Sequence, residues 1–171
     1  EVNLTRGGAV NFENLIATSS AETVRGDTGS NILQGKGGAD TLYGGSGNDT
    51  LYADSSLSPA VNESGGTSTQ STNDNLYGEA GDDILSGSAG DNILDGGTGA
   101  DTIRSGSGSD TIVIRSGSGG STVAAADTIA DFTDGSDVLG LDDDLLYSQL
   151  TIAQSGSDTV ISITSSSEYL A

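Results

Sequence analysis

Residues 37–54 read GGADTLYGGSGNDTLYAD, nearly one phrase written twice. Glycines and an acid lead into Thr-Leu-Tyr both times, and Asp40 and Asp49 stand nine residues apart. With Gly44 as position 1, GGSGNDTLY (44–52) fits G-G-x-G-x-D-x-U-x, where U is a large aliphatic residue. Steps of nine backward give GKGGADTLY (35–43), GDTGSNILQ (26–34), ATSSAETVR (17–25) and GAVNFENLI (8–16). Forward, after an interruption, the frame returns as TQSTNDNLY (69–77), GEAGDDILS (78–86), GSAGDNILD (87–95), GGTGADTIR (96–104) and SGSGSDTIV (105–113).

Position 8 is aliphatic in all ten repeats: Leu15, Val24, Leu33, Leu42, Leu51, Leu76, Leu85, Leu94, Ile103 and Ile112. Position 6 is always Asp, Asn or Glu: Glu13, Glu22, Asn31, Asp40, Asp49, Asp74, Asp83, Asn92, Asp101 and Asp110. Position 4 is glycine in seven of them. A flexible Gly/Ser linker has no reason to hold two residue classes in phase over such a length.

The rest of the composition limits what this pattern can be. Of 171 residues only 33% are hydrophobic and 4% aromatic, and 27 are glycine. A conventional core would be thin, because burial must offset an ordering cost of about 1–2 kcal/mol per residue. Five basic residues against 25 acidic ones leave a net charge of −20, which repels nucleic acid and anionic membrane and resists compaction. There is no Cys and no His, which removes disulfides, thiol nucleophiles, Cys- or His-ligated zinc and imidazole acid–base chemistry. No apolar run is long enough to span a membrane, and no signal peptide is visible. The chain starts at Glu1 and contains no Met, which suggests a piece of a longer protein.

Nine residues divide into a glycine-rich turn of about six and a strand of about three. In the strand x-U-x, alternation sends U inward and its neighbours outward. Two repeats then make one coil, with two short strands facing each other. Coils stack about 4.8 Å apart, so five coils make a rod roughly 24 Å long. Every second position 6 falls on the same edge, provided that the interruption bulges from a single turn. One edge carries Glu13, Asn31, Asp49, Asp83 and Asp101, and the other Glu22, Asp40, Asp74, Asn92 and Asp110. Stacked carboxylates repel without counter-ions. Hard oxygen donors without nitrogen or sulfur suit Ca²⁺ better than Mg²⁺, which prefers tight octahedra and keeps its waters. Four interloop slots on each edge hold at most about eight ions.

On these residues, 8–113 resemble the repeats-in-toxin (RTX) nonapeptides of secreted bacterial proteins. The resemblance implies an all-β fold, a right-handed parallel β-roll that is a calcium-bound solenoid, with a C-terminal β-rich cap. It also implies that each ion lies between successive turns of one edge. Its ligands are then the two position-6 side chains, carbonyls of positions 2 and 4 of one turn, and carbonyls of positions 1 and 3 of the other. Carried over, Asp49 and Asp83 with Gly45, Gly47, Gly78 and Ala80 form one candidate site; Asp83 with Asp101, and Asp40 with Asp74, form others. The remaining turn candidates are Gly26, Thr28, Gly29, Gly35, Gly37, Gly38, Gly44, Gly81, Gly87, Gly90, Gly96, Gly97, Gly99, Gly106 and Gly108. Asn31 and Asn92 are neutral at position 6, so weaker sites are expected there. The glycine-poor repeats with Glu13 and Glu22 place 1–25 as an N-terminal cap.

The roll is expected over 26–113, with a surface insertion at 53–68 that holds the single proline. Residues 114–171 read as a C-terminal capping segment. In 127–141, Ile129, Phe132, Val138, Leu139 and Leu141 surround an Asp134-Gly135 turn; 142–149 suggests a short helix, and 150–163 two strands joined by a Gly turn. This segment resembles the D-x-I-x-D-F…G-x-D-x-L-x-L region that follows the roll in many RTX proteins. It would cover apolar side chains and unpaired strand edges, with Asp127 or Asp131 as further calcium candidates.

Ten equivalent positions, eight of them acids, argue against glycosidase-like catalysis, which needs one asymmetric pair, so no enzyme is expected. Outward Tyr43 and Tyr77 become neighbours on one sheet, a potential contact for sugar or protein. The outward threonines are interrupted by Ile32, Asn75, Ile84 and Ile93, which argues against an ice-binding face. Asn62-Glu63-Ser64 matches a glycosylation sequon, a motif easily met by chance. The expected function is a calcium-binding module whose calcium-driven folding supports secretion and extracellular stability of a larger parent. The resemblance implies the type I secretion machinery as a partner. The alternative is a calcium-rigidified spacer in a surface layer or adhesin.

Overall fold

The computed structural model describes residues 2–3, 14–54, 72–142, 145–164, 166 and 168–171. In chain order the strands are β1 (Val2–Asn3), β2 (Asn14–Ile16), β3 (Thr23–Arg25), β4 (Ile32–Lys36), β5 (Thr41–Ser46), β6 (Thr50–Asp54), β7 (Asn75–Ala80) and β8 (Ile84–Ser86). They continue with β9 (Ile93–Asp95), β10 (Thr102–Arg104), β11 (Thr111–Ile114), β12 (Thr128–Ile129), β13 (Val138–Leu141), β14 (Leu150–Ser155), β15 (Asp158–Ile163) and β16 (Glu168–Tyr169). The described residues contain no α-helix. Two single 3-10 turns, Val123–Ala125 and Tyr147–Gln149, are the only helical elements among them. The short helix expected from 142 is therefore reduced to the turn at Tyr147–Gln149, where the Leu146 N–H donates to Gln149 Oε1 at 2.7 Å.

Odd-numbered strands β1 to β13 form one sheet of seven and even-numbered strands β2 to β12 another of six, every pairing being parallel. Successive repeats thus alternate between two facing sheets, a parallel β-roll. The register sets aliphatic over aliphatic. Leu15, Leu33, Leu51, Leu85 and Ile103 align in one sheet, and Val24, Leu42, Leu76, Leu94 and Ile112 in the other. From Val24 to Ile112 these side chains are fully buried, and Leu15 packs against them partly buried. Each fully buried large aliphatic contributes about 1.5–3 kcal/mol, and the two columns form most of the roll's core. Ala53, expected in the surface insertion, instead belongs to β6 and is fully buried among them.

Both columns run on beyond residue 113, where the nine-residue spacing is lost. Ile129 in β12 pairs over Ile103, and Leu139 in β13 over Ile112. Gly135, at φ +84, lies in the turn between those strands. Then β14, β15 and β16 form a separate antiparallel sheet, with Gly156 (φ +66) in the β14–β15 turn. Its inner residues Ile161 and Ile163 join Ile114, Leu145 and Leu170 in a second apolar cluster.

The interruption does not disturb the stack: β5 pairs directly with β7, and β6 with β8. The sequon, most of the insertion and Glu13 lie outside the described residues. On the outer face Tyr43 stacks on Tyr77, ring centroids 5.0 Å apart and planes 12° apart. The Arg25 guanidinium covers the other side of Tyr43 at 4.0 Å and pairs with Glu79 at 2.9 Å. The two tyrosines are thus neighbours as the nine-residue phase requires. With one ring on another and Arg25 above Tyr43, both faces of Tyr43 are already in contact.

Candidate metal centre

The turns stack as regularly as the strands. Along one edge the Asn31 N–H donates to Asp49 Oδ1, that of Asp49 to Asp83 Oδ1, that of Asp83 to Asp101 Oδ1, and that of Asp101 to Asp127 Oδ1 (2.7, 2.6, 2.8 and 3.1 Å). Along the other edge the Glu22, Asp40, Asp74, Asn92 and Asp110 N–H groups donate to side-chain Oδ1 of Asp40, Asp74, Asn92, Asp110 and Asp137 (2.8, 2.6, 2.9, 2.8 and 3.1 Å). Position-6 residues from Asn31 to Asp110 are therefore brought together in two ladders, each at most 3% exposed. Asp127 and Asp137 extend the ladders with steps of 26 and 27 residues in place of 18.

The turn candidates line these ladders. A Cβ on Gly44 would lie 2.4 Å from Asp49 Oδ2 and 2.6 Å from the Gly78 carbonyl oxygen, and one on Gly78 would strike Asp83 Oδ2 and the Gly96 oxygen. Gly26 and Gly35 stand likewise against Asn31 and Asp40, Gly87 against Asn92, and Gly96 against Asp101. Position 4 is glycine for two reasons at once. Gly81 has φ +134, and a Cβ there would run into the Gly47 carbonyl oxygen one coil below. Gly38, Gly47, Gly90, Gly99 and Gly108 share the positive φ, whereas Gly29 does not. At position 2, Gly45, Gly97 and Gly106 have φ near +100, and the carbonyls of positions 2 and 3 accept coil-to-coil bonds such as Ser46 N–H to Asp27 O and Gly47 N–H to Ala80 O. Thr28 and Gly37 occupy position 3 of their turns.

Four copies of a family model described as the RTX calcium-binding nonapeptide repeat match residues 16–55, 69–103, 77–112 and 86–121. Together the matches span more than half of the chain. The chain belongs to this family. Among curated proteins none matches it. As an RTX module it is a calcium-binding structural repeat, and Ca²⁺ is its ion.

The turns of this RTX module fit such an ion on their own chemistry. Oδ2 of Asp49, Asp83, Asp101 and Asp110 is buried with no hydrogen-bond donor. A buried anionic oxygen without a partner is expensive, and a cation is what it lacks. Burial, with lesser repulsion from neighbouring acids, pushes Asp49, Asp83 and Asp101 up to about 6 against the bonds they accept. Asp127 is pushed up to about 7, and Asp74 and Asp110 are raised, all chiefly by burial. Among the described residues no three acidic side chains converge on one point. Main-chain carbonyls must therefore complete any ligand set.

A second ladder escaped the nonapeptide formula, which leaves position 5 unspecified. Ser30 Oγ accepts from Asn48 N–H, Asn48 Oδ1 from Asp82 N–H and Asp82 Oδ1 from Ala100 N–H; on the other edge Asn73 accepts from Asp91, and Asp91 from Ser109 (2.9–3.2 Å). These bonds run opposite to the position-6 bonds. The recurrence of Ser, Asn and Asp at that position was the available signal. The C-terminal candidate Asp131 is engaged differently, accepting from Ser105 N–H through Oδ1 (2.8 Å) and from Gly106 N–H through Oδ2 (3.1 Å).

Proposed function

We propose that calcium loads the slots between successive turns and so folds this module outside the cell, supporting export and extracellular stability of a larger protein. The observation that carries the reading is the set of buried, donor-less Oδ2 atoms on Asp49, Asp83, Asp101 and Asp110. In each slot the position-6 carboxylates, including Asp40 and Asp74, would hold the ion together with carbonyls of the turn glycines around them. The neutral Asn31 would contribute an amide oxygen. Bound calcium supplies the positive charge that lets neighbouring carboxylates stack.

The chain's own groups do the rest. Oδ1 of each carboxylate ties its coil to the previous one, the turn glycines keep the slots open, and the aliphatic columns supply the dry contact between the sheets. Where calcium is scarce, a net charge of −20 and burial-penalised carboxylates favour the expanded chain, a form suited to threading through a narrow channel. Where calcium is abundant, sites with Kd of about 10⁻⁴–10⁻³ M fill and stabilise the roll by mass action. The RTX family is typical of secreted bacterial proteins, which supports an extracellular setting.

The test is a calcium titration from a chelated start, followed by far-UV circular dichroism, with magnesium as the control. The expected result is a disordered spectrum that turns to β structure cooperatively with Ca²⁺ and hardly responds to Mg²⁺. A β spectrum indifferent to chelation and to calcium would overturn the reading.

A further inference from the structure

Of the two position-6 asparagines, Asn92 is locked in one orientation by its surroundings. Its Oδ1 accepts from Asp74 N–H at 2.9 Å, so its nitrogen must occupy the place that Oδ2 takes in the aspartate turns. That Nδ2 donates to the carbonyl oxygens of Gly87 (3.2 Å) and Gly90 (3.1 Å), positions 1 and 4 of its own turn. It also lies 2.9 Å from where a Cβ on Gly87 would stand, beside the Ser105 carbonyl of the next coil, as Asp49 Oδ2 lies beside the Gly78 carbonyl. Asn92 is 1% exposed, so these contacts are shielded from bulk solvent. At the equivalent point Asp49, Asp83 and Asp101 present an acceptor facing acceptors. Asn92 presents a donor to them.

Asn31 shows that asparagine alone does not produce this arrangement. There Oδ1 accepts from Asp27 N–H at 2.8 Å, and it is Oδ1 that stands with the Gly44 carbonyl against Gly26. Asn31 therefore keeps an oxygen in its slot, where Asn92 places a nitrogen.

We infer that the Asn92 turn takes no calcium, because its own amide nitrogen occupies the cation's place and satisfies the turn carbonyls directly. The inference rests on the reading that the aspartate turns load calcium. It makes the two edges unequal. The edge through Asp49, Asp83 and Asp101 is a continuous run of carboxylates, whereas the other is divided at Asn92 into an Asp40–Asp74 part and an Asp110 part. In the folded roll the divided edge is held at its middle by the Asn92 amide in place of an ion.

The test counts ions in the whole chain by equilibrium dialysis at saturating calcium, for the unaltered protein and for Asn92→Asp. The variant is expected to bind one more Ca²⁺ per chain. An unchanged count, with the unaltered chain binding calcium normally, overturns the inference and leaves the proposed function standing. Absence of calcium binding in both removes the two together. Should the variant not fold, the calcium-saturated unaltered protein decides the matter by NMR. The Asn92 side-chain NH₂ protons are expected to be protected from solvent exchange, and free exchange there overturns the inference.

Discussion

Carboxylates in the middle of the roll and carboxylates at its C-terminal end are held in different ways. Asp83 has one oxygen on the Asp49 N–H and the other buried without a donor. Asp137, at the end, has Oδ1 on the Asp110 N–H (3.1 Å) and Oδ2 on the Thr133 N–H (2.7 Å), and Asp131 spends both oxygens on Ser105 and Gly106. The central aspartate turns thus leave a buried oxygen that the chain does not satisfy, whereas the final turn is satisfied by the chain itself. One charged residue type serves in a conditional stack and in an unconditional closure; the supply of backbone donors makes the difference.

The most severe way to test this contrast is Asp83→Ala. It removes an oxygen from the slots on either side, so the calcium concentration at half-folding should rise severalfold. The slope of Tm against the logarithm of calcium concentration should fall as well, because fewer ions bind. Asp137→Ala should instead strand the Asp110 and Thr133 N–H groups and lose about 2 kcal/mol, shifting that same plot downward without changing its slope. Parallel lines for both variants in thermal melts across a calcium series would break the contrast.

Acid provides a milder test, on the calcium-free chain. Burial raises Asp49, Asp83 and Asp101 from 3.8 to about 6 in the fold, and Asp127 to about 7. A raised folded-state value favours the folded state fully below the unfolded value and loses that benefit as pH rises through the folded one. Calcium-free chain should therefore gain β structure on going from pH 8 to about pH 4, most of the change falling between about 4 and 7. Circular dichroism in calcium-free buffer reads it, and a flat profile would mean that the central carboxylates do not oppose folding. The smallest expected effect is at the opposite end. Arg25→Ala removes an exposed ion pair and a contact with Tyr43, together worth about 1 kcal/mol, at any calcium concentration, as thermal melts can check.

Phase was legible in the sequence because each structural role recurs at one position. The aliphatic columns, the two position-6 edges and the Tyr43–Tyr77 pair follow from counting by nine. Asp127 and Asp137 were not legible as ladder members, since steps of 26 and 27 residues leave no phase to follow. The position-5 ladder was hidden because Ser, Asn, Asp and Ala alternate there, and only a backbone N–H at the right height turns such side chains into acceptors. Nor can composition tell Asn92 from Asn31. Their difference lies in which neighbour donates: the Asp74 N–H across the coil in one case, the Asp27 N–H within the turn in the other.

The hydrogen bond from Asp49 to Asp83 spans 34 residues, as does that from Asp40 to Asp74, yet at 2.6 Å both are as short as any in the ladders. At this single place the contour length between coils has been uncoupled from their spacing. Whatever the chain carries between β6 and β7, its ends return to the same two turns. This makes the junction a natural graft point: a foreign peptide or a small domain with closely spaced termini could be spliced there and presented on the side of a rigid rod, and calcium would then switch its display on.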